Sequence, residues 1–223
     1  EVGGDTTENN EETERQRIET VGPKHTGAWN ERNNGADGDQ EVVRIEGAAR
    51  MHRGAYEPRI QFLGPEHPDT LTSRNNLAAA YREAGRIEDA LRMHQENLEL
   101  QVKVRGTEHP DTLTCRNNLA VAYGAVGRTD DAVCMHRENL DLRIKVLGPE
   151  YPDTLTSRNN LAAAYGAVGR IEDALRMHQE NLELLVKVLG PEHPNTLTSR
   201  SNLAIAYREA GRIEDAERIE RSS

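Results

Sequence analysis

The stretch His67-Pro68-Asp69-Thr70-Leu71-Thr72 decides the fold, because it recurs along the chain at a constant step of 42 residues. Related copies begin at His109, Tyr151 and His193. Residues 67–108 and 151–192 are identical at 35 of 42 positions. A fixed period of this length is the signature of a repeat architecture, in which each copy forms one supersecondary unit.

Each copy predicts two helices joined by a short turn. In the first copy Pro68 opens the first helix, and Asp69 or Thr70 is expected to cap its free amides. Apolar side chains then recur at helical spacing, at Leu71, Leu77, Ala78 and Tyr81. Gly85 ends this helix, because glycine accepts the left-handed conformation that a helix stop often needs. The second helix is expected to begin at about Ile87.

Hairpins of this kind predict an all-α fold. A single hairpin cannot bury both of its faces, whereas stacking with a constant rotation gives a right-handed α-solenoid. Small Ala90 and its counterparts let the two antiparallel helices of a hairpin approach closely. We expect the array over residues 41–223, with a degenerate half-repeat over 41–66. Repeats then begin at about 67, 109, 151 and 193, and the last is truncated.

An acidic segment precedes this array. Residues 1–40 hold ten acidic and four basic side chains, and the stretch 35–39 carries no helical pattern. We expect residues 1–40 to be mostly disordered, because they cannot bury enough apolar surface to offset the ordering of their backbone. The half-repeat that follows contains Gly47, Gly54 and Pro58, which are unfavourable inside a helix.

The composition excludes several classes of partner. The formal net charge is −10, and an acidic chain repels phosphate backbones and anionic membrane surfaces. We therefore expect neither nucleic acid nor a membrane as a partner. No apolar run is long enough to span a bilayer and none resembles a signal peptide, so a cytoplasmic location fits best. The chain begins with Glu1, which we interpret as a fragment or a processed form.

The recurring motifs resemble a known family. The pattern Asn75-Asn76-Leu77-Ala78-x-x-Tyr81 followed by Gly85-Arg86-x-x-x-Ala90 is similar to tetratricopeptide repeats. The 42-residue period and the loop Leu63-Gly64-Pro65-Glu66-His67-Pro68 resemble the kinesin light chain-like subclass. The resemblance covers residues from Gly64 to about Ile219. It implies a protein-interaction scaffold that binds an extended peptide or a partner domain in a concave groove lined by the first helices.

The resemblance also implies that asparagines in the groove grip the backbone of the bound peptide. A carboxamide offers donors and an acceptor, so it can pair with peptide amides whatever their side chains. The candidate ladder residues are Asn75, Asn76, Asn117, Asn118, Asn159, Asn160 and Asn202. In the alternative interpretation, one asparagine of each pair bridges neighbouring helices or caps a loop. Groove neighbours further along the first helices complete the predicted site: Arg82, Val121, Ile205 and Arg208.

The arginines suggest the charge of the ligand. Arg82 and Arg208, in the first and last repeats, would attract acidic residues of a peptide. A second series comprises Arg74, Arg116, Arg158 and Arg200. We favour a structural role for this series, in which the guanidinium groups pair with nearby acids of the type of Glu88 or Glu96. If they face the groove instead, an acidic peptide is the expected ligand.

Enzyme and metal chemistry are not expected. No phosphate-binding loop, nucleophile elbow or zinc-protease motif occurs in the sequence. Histidines recur every 42 residues, but adjacent repeats lie about 10 Å apart, whereas a shared metal needs nitrogens about 2 Å from one ion. Cys115 and Cys134 replace serine and arginine of the sister repeats, which indicates drift rather than a disulfide framework. We therefore predict no catalytic activity, no cofactor and no metal.

Two further functions stay open at this point. Arrays of the resembling subclass often follow a nucleotide-binding or protease domain, so the chain could be the regulatory or sensor segment of a larger signalling protein. Nearly identical terminal repeats could also stack end to end, which predicts a self-assembling module. Light scattering over a range of concentrations tests the second idea, because a strict monomer contradicts it.

Overall fold

The computed structural model describes the backbone of residues 26–221 and the side chains of residues 43–221. Every regular element in this part of the chain is a helix. The helices are α1 (Thr26–Leu63), α2 (Pro68–Glu83), α3 (Ile87–Arg105), α4 (Pro110–Ala125), α5 (Thr129–Leu147), α6 (Pro152–Ala167), α7 (Ile171–Leu189), α8 (Pro194–Glu209) and α9 (Ile213–Arg221). The predicted all-α fold and the predicted helix bounds within each repeat are confirmed.

The chain divides into two compact units, Glu1–Gly47 and Ala48–Ser223. The second unit holds the repeats as stacked helical hairpins, α2–α3, α4–α5, α6–α7 and α8–α9. The predicted boundary between residues 40 and 41 stays a prediction. Residues 1–25 of the segment predicted to be disordered lie outside the described residues, and residues 26–40 belong to α1.

Helix α1 continues through residues that the sequence marks as unfavourable. It runs without a break past Gly47, Gly54 and Pro58 to Leu63. Proline lacks the amide that would pair with the carbonyl four residues earlier, which here belongs to Gly54. Ala49 and Tyr56 of this helix pack against the first hairpin, so tertiary packing outweighs the poor helix propensity.

The first helix of each repeat begins with a cap that differs from the predicted one. The N-cap residue of α2 is His67, whose Nδ1 accepts a hydrogen bond from the amide of Asp69. His109 and His193 cap α4 and α8 in the same way, whereas Tyr151 makes no side-chain cap bond. Thr70 is fully buried, and its hydroxyl donates to the carbonyl oxygen of Arg59 near the end of α1. The prediction that Asp69 or Thr70 caps this helix is therefore wrong, because the threonine joins consecutive repeats instead.

The turn between the two helices of a hairpin is closed by glycine. Gly85 has φ of 71°, in the left-handed region. The amide of Arg86 reaches back to the carbonyl of Tyr81 at 2.8 Å and that of Gly85 to Arg82 at 3.0 Å, which is the bonding pattern of a Schellman motif. The Arg86 guanidinium then lies 3.9 Å from the centre of the Tyr81 ring. The Gly-Arg pair thus both ends the first helix and fastens it to the second.

Small and aliphatic residues fill the core between helices. Ala78, Ala90 and Leu71 are fully buried. The counterparts of both alanines are buried in every repeat, whereas those of the leucine are buried at Leu113 and Leu155 and exposed at Leu197. Burying one leucine contributes about 2 kcal/mol. Each tyrosine hydroxyl of the Tyr81 type accepts a hydrogen bond from the repeat before it, for example from Gln95 to Tyr123 at 3.2 Å. The repeats are therefore joined by apolar packing and by polar contacts at the same positions.

Candidate functional site

The first helices share a stripe of small and polar residues that lies outside the hydrophobic core. On α6 the stripe contains Thr156, Asn159, Ala163 and Gly166, which follow each other at helical spacing. The opposite side of α6 is buried through residues such as Leu161. We call the surface formed by these stripes on α2, α4, α6 and α8 the groove. It is built from the helices predicted to line the binding site.

Asparagines connect the first helices across the groove. The second asparagine of each pair donates to the first asparagine of the preceding repeat: Asn118 Nδ2 to Asn75 Oδ1 at 2.8 Å, Asn160 Nδ2 to Asn117 Oδ1 at 2.7 Å, and Asn202 Nδ2 to Asn159 Oδ1 at 3.0 Å. Bridging of neighbouring helices, the alternative drawn from the sequence, is thus present at three junctions. Each bond uses one N–H and one lone pair, so both amides keep further donor and acceptor capacity.

These six bridging asparagines remain accessible. All are half-buried, and Asn76, which begins the series, is exposed. Bridging fixes the rotamers of the amides, which reduces the entropy that a ligand would lose by ordering them. The asparagine ladder can therefore act both as a joint between repeats and as a row of hydrogen-bonding groups on the groove.

Two cavities open in the middle of the groove. The first has a volume of about 230 Å³ and lies between α4 and α6, lined by Val121, Gly124, Asn160 and Ala163. His136 of α5 contributes to its lining, although only 4% of that side chain is exposed. Aliphatic side chains and backbone form most of this lining, so the cavity suits an apolar group.

The second cavity lies one repeat further on, between α6 and α8. It has a volume of about 410 Å³ and is lined by Gly166, Asn202 and Ile205, with His178 of α7 in the place of His136. Glu209 also contributes to its lining. Ile205 is half exposed, so a large apolar side chain of the groove is available for contact with a ligand.

Glycines explain why these cavities occur in the middle repeats. The position held by Gly124 and Gly166 carries arginine in the first and last repeats. The charge of Arg82 acts on His94, the counterpart of His136.

Arg208 donates from Nη2 to both carboxylate oxygens of Glu220, at 2.8 and 2.7 Å. Arg208 is thus already paired, which weakens the predicted attraction of acidic residues at that end.

The histidines beneath the groove are held neutral. Burial lowers the pKa of His136 to about 4, and burial followed by the charge of Arg82 lowers the pKa of His94 to about 4. Burial also lowers the pKa of His178. In all three rings Nδ1 is buried and has no hydrogen-bond partner among the described residues. These rings therefore give the groove a neutral floor at pH 7.

The second arginine series has structural partners. Arg116 pairs with Glu138 at 3.1 Å, and Arg158 pairs with Glu180 at 3.4 Å. Both acids occupy the repeat position of Glu96, so the predicted pairing is confirmed for these two arginines. Arg74 instead donates to the hydroxyl of Tyr56 and lies over its ring. Arg200, the last of the series, is buried, with 7% of its surface exposed.

A third cavity lies between α6 and α8 on the other side of the Asn159–Asn202 bond. It has a volume of about 150 Å³ and is lined by Asn159, Asn181, Asn195 and Ser199, among others. Sequence reasoning missed this cavity and the histidine floor. Aligning the repeats could have indicated the cavity, because Leu185 and Asn195 stand where the preceding repeat has Arg143 and Asp153.

The remaining chemistry of the described residues is sparse. Within residues 43–221, no group of three His, Cys, Asp or Glu side chains is placed to hold a metal ion. Among the described helices, none has the length and apolar character needed to cross a bilayer. Cys115 is buried and receives a contact from Asn97 Nδ2 at 3.3 Å, and burial raises the pKa of its thiol to about 11. This thiol is therefore unreactive near pH 7.

Stacked helical hairpins with a polar ladder along their first helices define the class of the protein as an α-helical repeat array. The family model for the tetratricopeptide repeat matches residues 44–96, 83–145, 135–184 and 153–223. The chain therefore belongs to the tetratricopeptide repeat family. Among curated protein sequences, none matches it.

Solved structures place the chain near kinesin light chain-like proteins. Two crystal structures of a Podosopora anserina protein, described as a kinesin light chain with nearly identical TPR-like repeats, share 28% identity with the chain. Each match covers 89% of this chain and 94% of the Podosopora anserina chain, with TM-scores of 0.70 and 0.67. The resemblance to the kinesin light chain-like subclass is confirmed.

Two more distant structures share the fold alone. BtubC (BKLC) from P. vanneervenii is 24% identical, covers 94% of this chain and 87% of its own, and has a TM-score of 0.66. PlcR from Bacillus thuringiensis, crystallised with the peptide PapR7 and DNA, is 16% identical. That match covers 81% of this chain and 67% of PlcR, with a TM-score of 0.56.

Proposed function

We propose that the chain is a non-catalytic scaffold that binds an extended segment of another protein in the groove. The observation that carries this proposal is the asparagine ladder, which presents fixed amides with unused donors and acceptors at three successive junctions. An extended peptide has unpaired backbone amides along both edges, and carboxamides pair with them irrespective of side chain.

The dimensions of the array suit an extended ligand. Adjacent packed helices lie about 10 Å apart, and an extended chain rises about 3.3 Å per residue. One repeat therefore corresponds to about three ligand residues. The fold can accommodate a peptide, since PlcR, which shares it, has been crystallised with one.

We further propose that the ligand is neutral or apolar in its centre, in place of the acidic peptide suggested by the sequence. The two central cavities are lined mainly by alanine, glycine, valine and isoleucine. Arg208 is engaged by Glu220, and Arg116 and Arg158 are paired with acids. The groove thus offers apolar contacts at its centre and few free cations for acidic side chains.

The test is a binding screen of random extended nonapeptides against the full chain and against a double variant, Asn118→Ala with Asn160→Ala. A matched control changes two exposed residues of the second helices, Glu99→Ala with Glu183→Ala. Circular dichroism and thermal unfolding establish that both variants remain folded. We expect selected peptides to bind the chain and the control, and to lose at least tenfold in affinity for the asparagine variant.

Equal affinity for the folded asparagine variant would contradict the role of the ladder, and the absence of any peptide bound to the chain would contradict the proposal as a whole. Two alternatives stay predictions from the sequence, a regulatory segment and a self-assembling module, because the described contacts all lie within one chain. The cytoplasmic location stays a prediction too.

A further inference from the structure

The cavity at the junction of α6 and α8 differs from the two apolar cavities in its chemistry. Apart from Leu155 and Leu185 its lining is amide and hydroxyl: Thr156, Asn159, Asn181, Asn195, Thr198 and Ser199. None of the residues that line it carries a charge. Its volume of about 150 Å³ is about five times the share of one liquid water molecule, so it can hold a small polar group.

A buried amide in this cavity has unused hydrogen-bonding groups. Asn181 is fully buried, yet neither its Oδ1 nor its Nδ2 has a hydrogen-bond partner among the described residues. The hydroxyl of Ser199, which is 2% exposed, is also unpaired among the described residues. Buried polar groups without partners cost free energy, and native structures satisfy nearly all of them. The cavity therefore favours an occupant that both donates and accepts.

The preceding junction carries a charged pair at this position. Asn139, the counterpart of Asn181, is likewise buried with an unpaired amide. There, however, Arg143 takes the place of Leu185 and donates from Nη1 to the backbone oxygen of Asp153 at 2.8 Å. The carboxylate of Asp153 lies 3.7 Å from the same nitrogen. At the junction of α6 and α8 both members of this pair are replaced, by Leu185 and Asn195, so that the lining of the cavity is uncharged.

We propose that this cavity binds the carboxamide side chain of a glutamine or asparagine in the peptide held by the groove. The inference rests on the proposed function and adds a specificity to it. A carboxamide presents one acceptor and one donor in a plane, so it can form two hydrogen bonds with the amide of Asn181 at once. A carboxylate has no donor at neutral pH and would meet no cation here, and an alkyl group would leave the amide unpaired.

The cavity belongs to the same groove as the apolar cavity beside it. Thr156 and Asn159 of α6 line the polar cavity, and Ala163 and Gly166 of the same stripe line the apolar one. The two pairs are centred seven residues apart, which is about 10 Å along a helix. Both cavities lie at the junction of α6 and α8, so a ligand that runs across the repeats meets them side by side. The carboxamide and the apolar side chain that enters the other cavity should therefore come from neighbouring residues of the ligand.

The first test uses propionamide as the probe and the full chain labelled with ¹⁵N. The side-chain NH₂ signal of Asn181 is assigned as the one lost in Asn181→Leu. We expect propionamide to shift this signal in a saturable manner at millimolar concentration, and propionate and butanone to leave it in place. The double variant Leu185→Arg with Asn195→Asp, which copies the preceding junction, should abolish the shift, whereas Asn139→Leu should leave it unchanged.

Three results of this test would overturn the assignment. They are an Asn181 signal that propionamide does not move, an equal shift with butanone, and an equal shift of the Asn139 signal. The first would mean that ordered water alone satisfies the amide, and the others would mean that the response is not specific to a carboxamide in this cavity.

The second test separates this inference from the proposed function. Nonapeptides selected on the full chain are resynthesised with each glutamine or asparagine changed to glutamate and to leucine. We expect one position at which either change weakens binding about tenfold, and we expect the Leu185→Arg, Asn195→Asp variant to remove that difference. Peptides that bind equally well with every such change would overturn the inference and leave the groove intact. If no peptide binds while propionamide shifts Asn181, the proposed function fails and the cavity remains a carboxamide site.

Discussion

The buried histidines beneath the groove make the stability of the repeats depend on pH. The pKa of His94 and of His136 is about 4 in the folded chain, because burial disfavours the charged ring and, for His94, the charge of Arg82 adds to this. In an unfolded chain a histidine titrates near 6.5. Between these two values the unfolded state binds more protons, so the stability is fully present above pH 6.5 and is lost as the pH falls towards 4.

The size of the effect follows from these two pKa values. Linkage predicts that each ring loses about 2 kcal/mol of folding free energy between pH 7 and pH 5, so His94 and His136 together lose about 4 kcal/mol. A typical domain has a total stability of about 5–15 kcal/mol. The loss is therefore large enough to be measured by denaturant unfolding.

The assay is urea unfolding at pH 7 and pH 5, followed by circular dichroism, on the full chain and on His94→Gln with His136→Gln. Glutamine does not titrate, so the double variant should lose about 4 kcal/mol less than the full chain between the two pH values. A control variant, Ala163→Gln, introduces a glutamine at an exposed position of α6 and should keep the full dependence. Equal pH dependence in the chain and in the double variant would refute the reasoning.

Three more predictions concern the caps, the cavities and the core. His109→Ala should destabilise the chain by about 1 kcal/mol in thermal or urea unfolding, whereas Tyr151→Ala at the same repeat position removes no cap bond and should cost less; equal losses would contradict the capping role. Gly124→Arg with Gly166→Arg should close the apolar cavities and lower the affinity for the selected peptides at least tenfold, with an unchanged helical signal in circular dichroism. An unchanged affinity would mean that the peptide binds elsewhere. Ala132→Leu should overpack the hairpin and cost about 1–3 kcal/mol, which a lowered urea midpoint measures and an unchanged midpoint contradicts.

The local signals in the sequence predicted the hairpins well, because each depends on a residue with a narrow conformational role. Gly85 and Ile87 mark the end and the start of helices in the structure as they do in the sequence. The cap at His67 was missed, since aspartate and threonine are common capping residues and histidine is not. Continuation of α1 past Pro58 was also missed, because it depends on packing that local propensity does not describe.

The structure joins asparagines of successive repeats by hydrogen bonds. The sequence assigned these asparagines and the groove neighbours to the first helices, and their role in binding a ligand stays a prediction. The sequence did not indicate that Asn118 donates to Asn75, since hydrogen bonds between repeats depend on how the units stack. The unpaired amide of the buried Asn181 was harder still, because its surroundings are set by neighbouring helices rather than by periodicity.

The asparagine bonds have one property that concerns direction. In each of the three bonds the asparagine of the later repeat donates to that of the earlier repeat, so the ladder has a direction along the chain. The atoms left free therefore recur in the same order at each junction: the carbonyl of the donor amide and the NH₂ of the acceptor amide. A peptide backbone has a direction too, and reversing it exchanges the order of its N–H and C=O groups. For the peptide that we propose as the ligand, we therefore expect one preferred N-to-C orientation along the array.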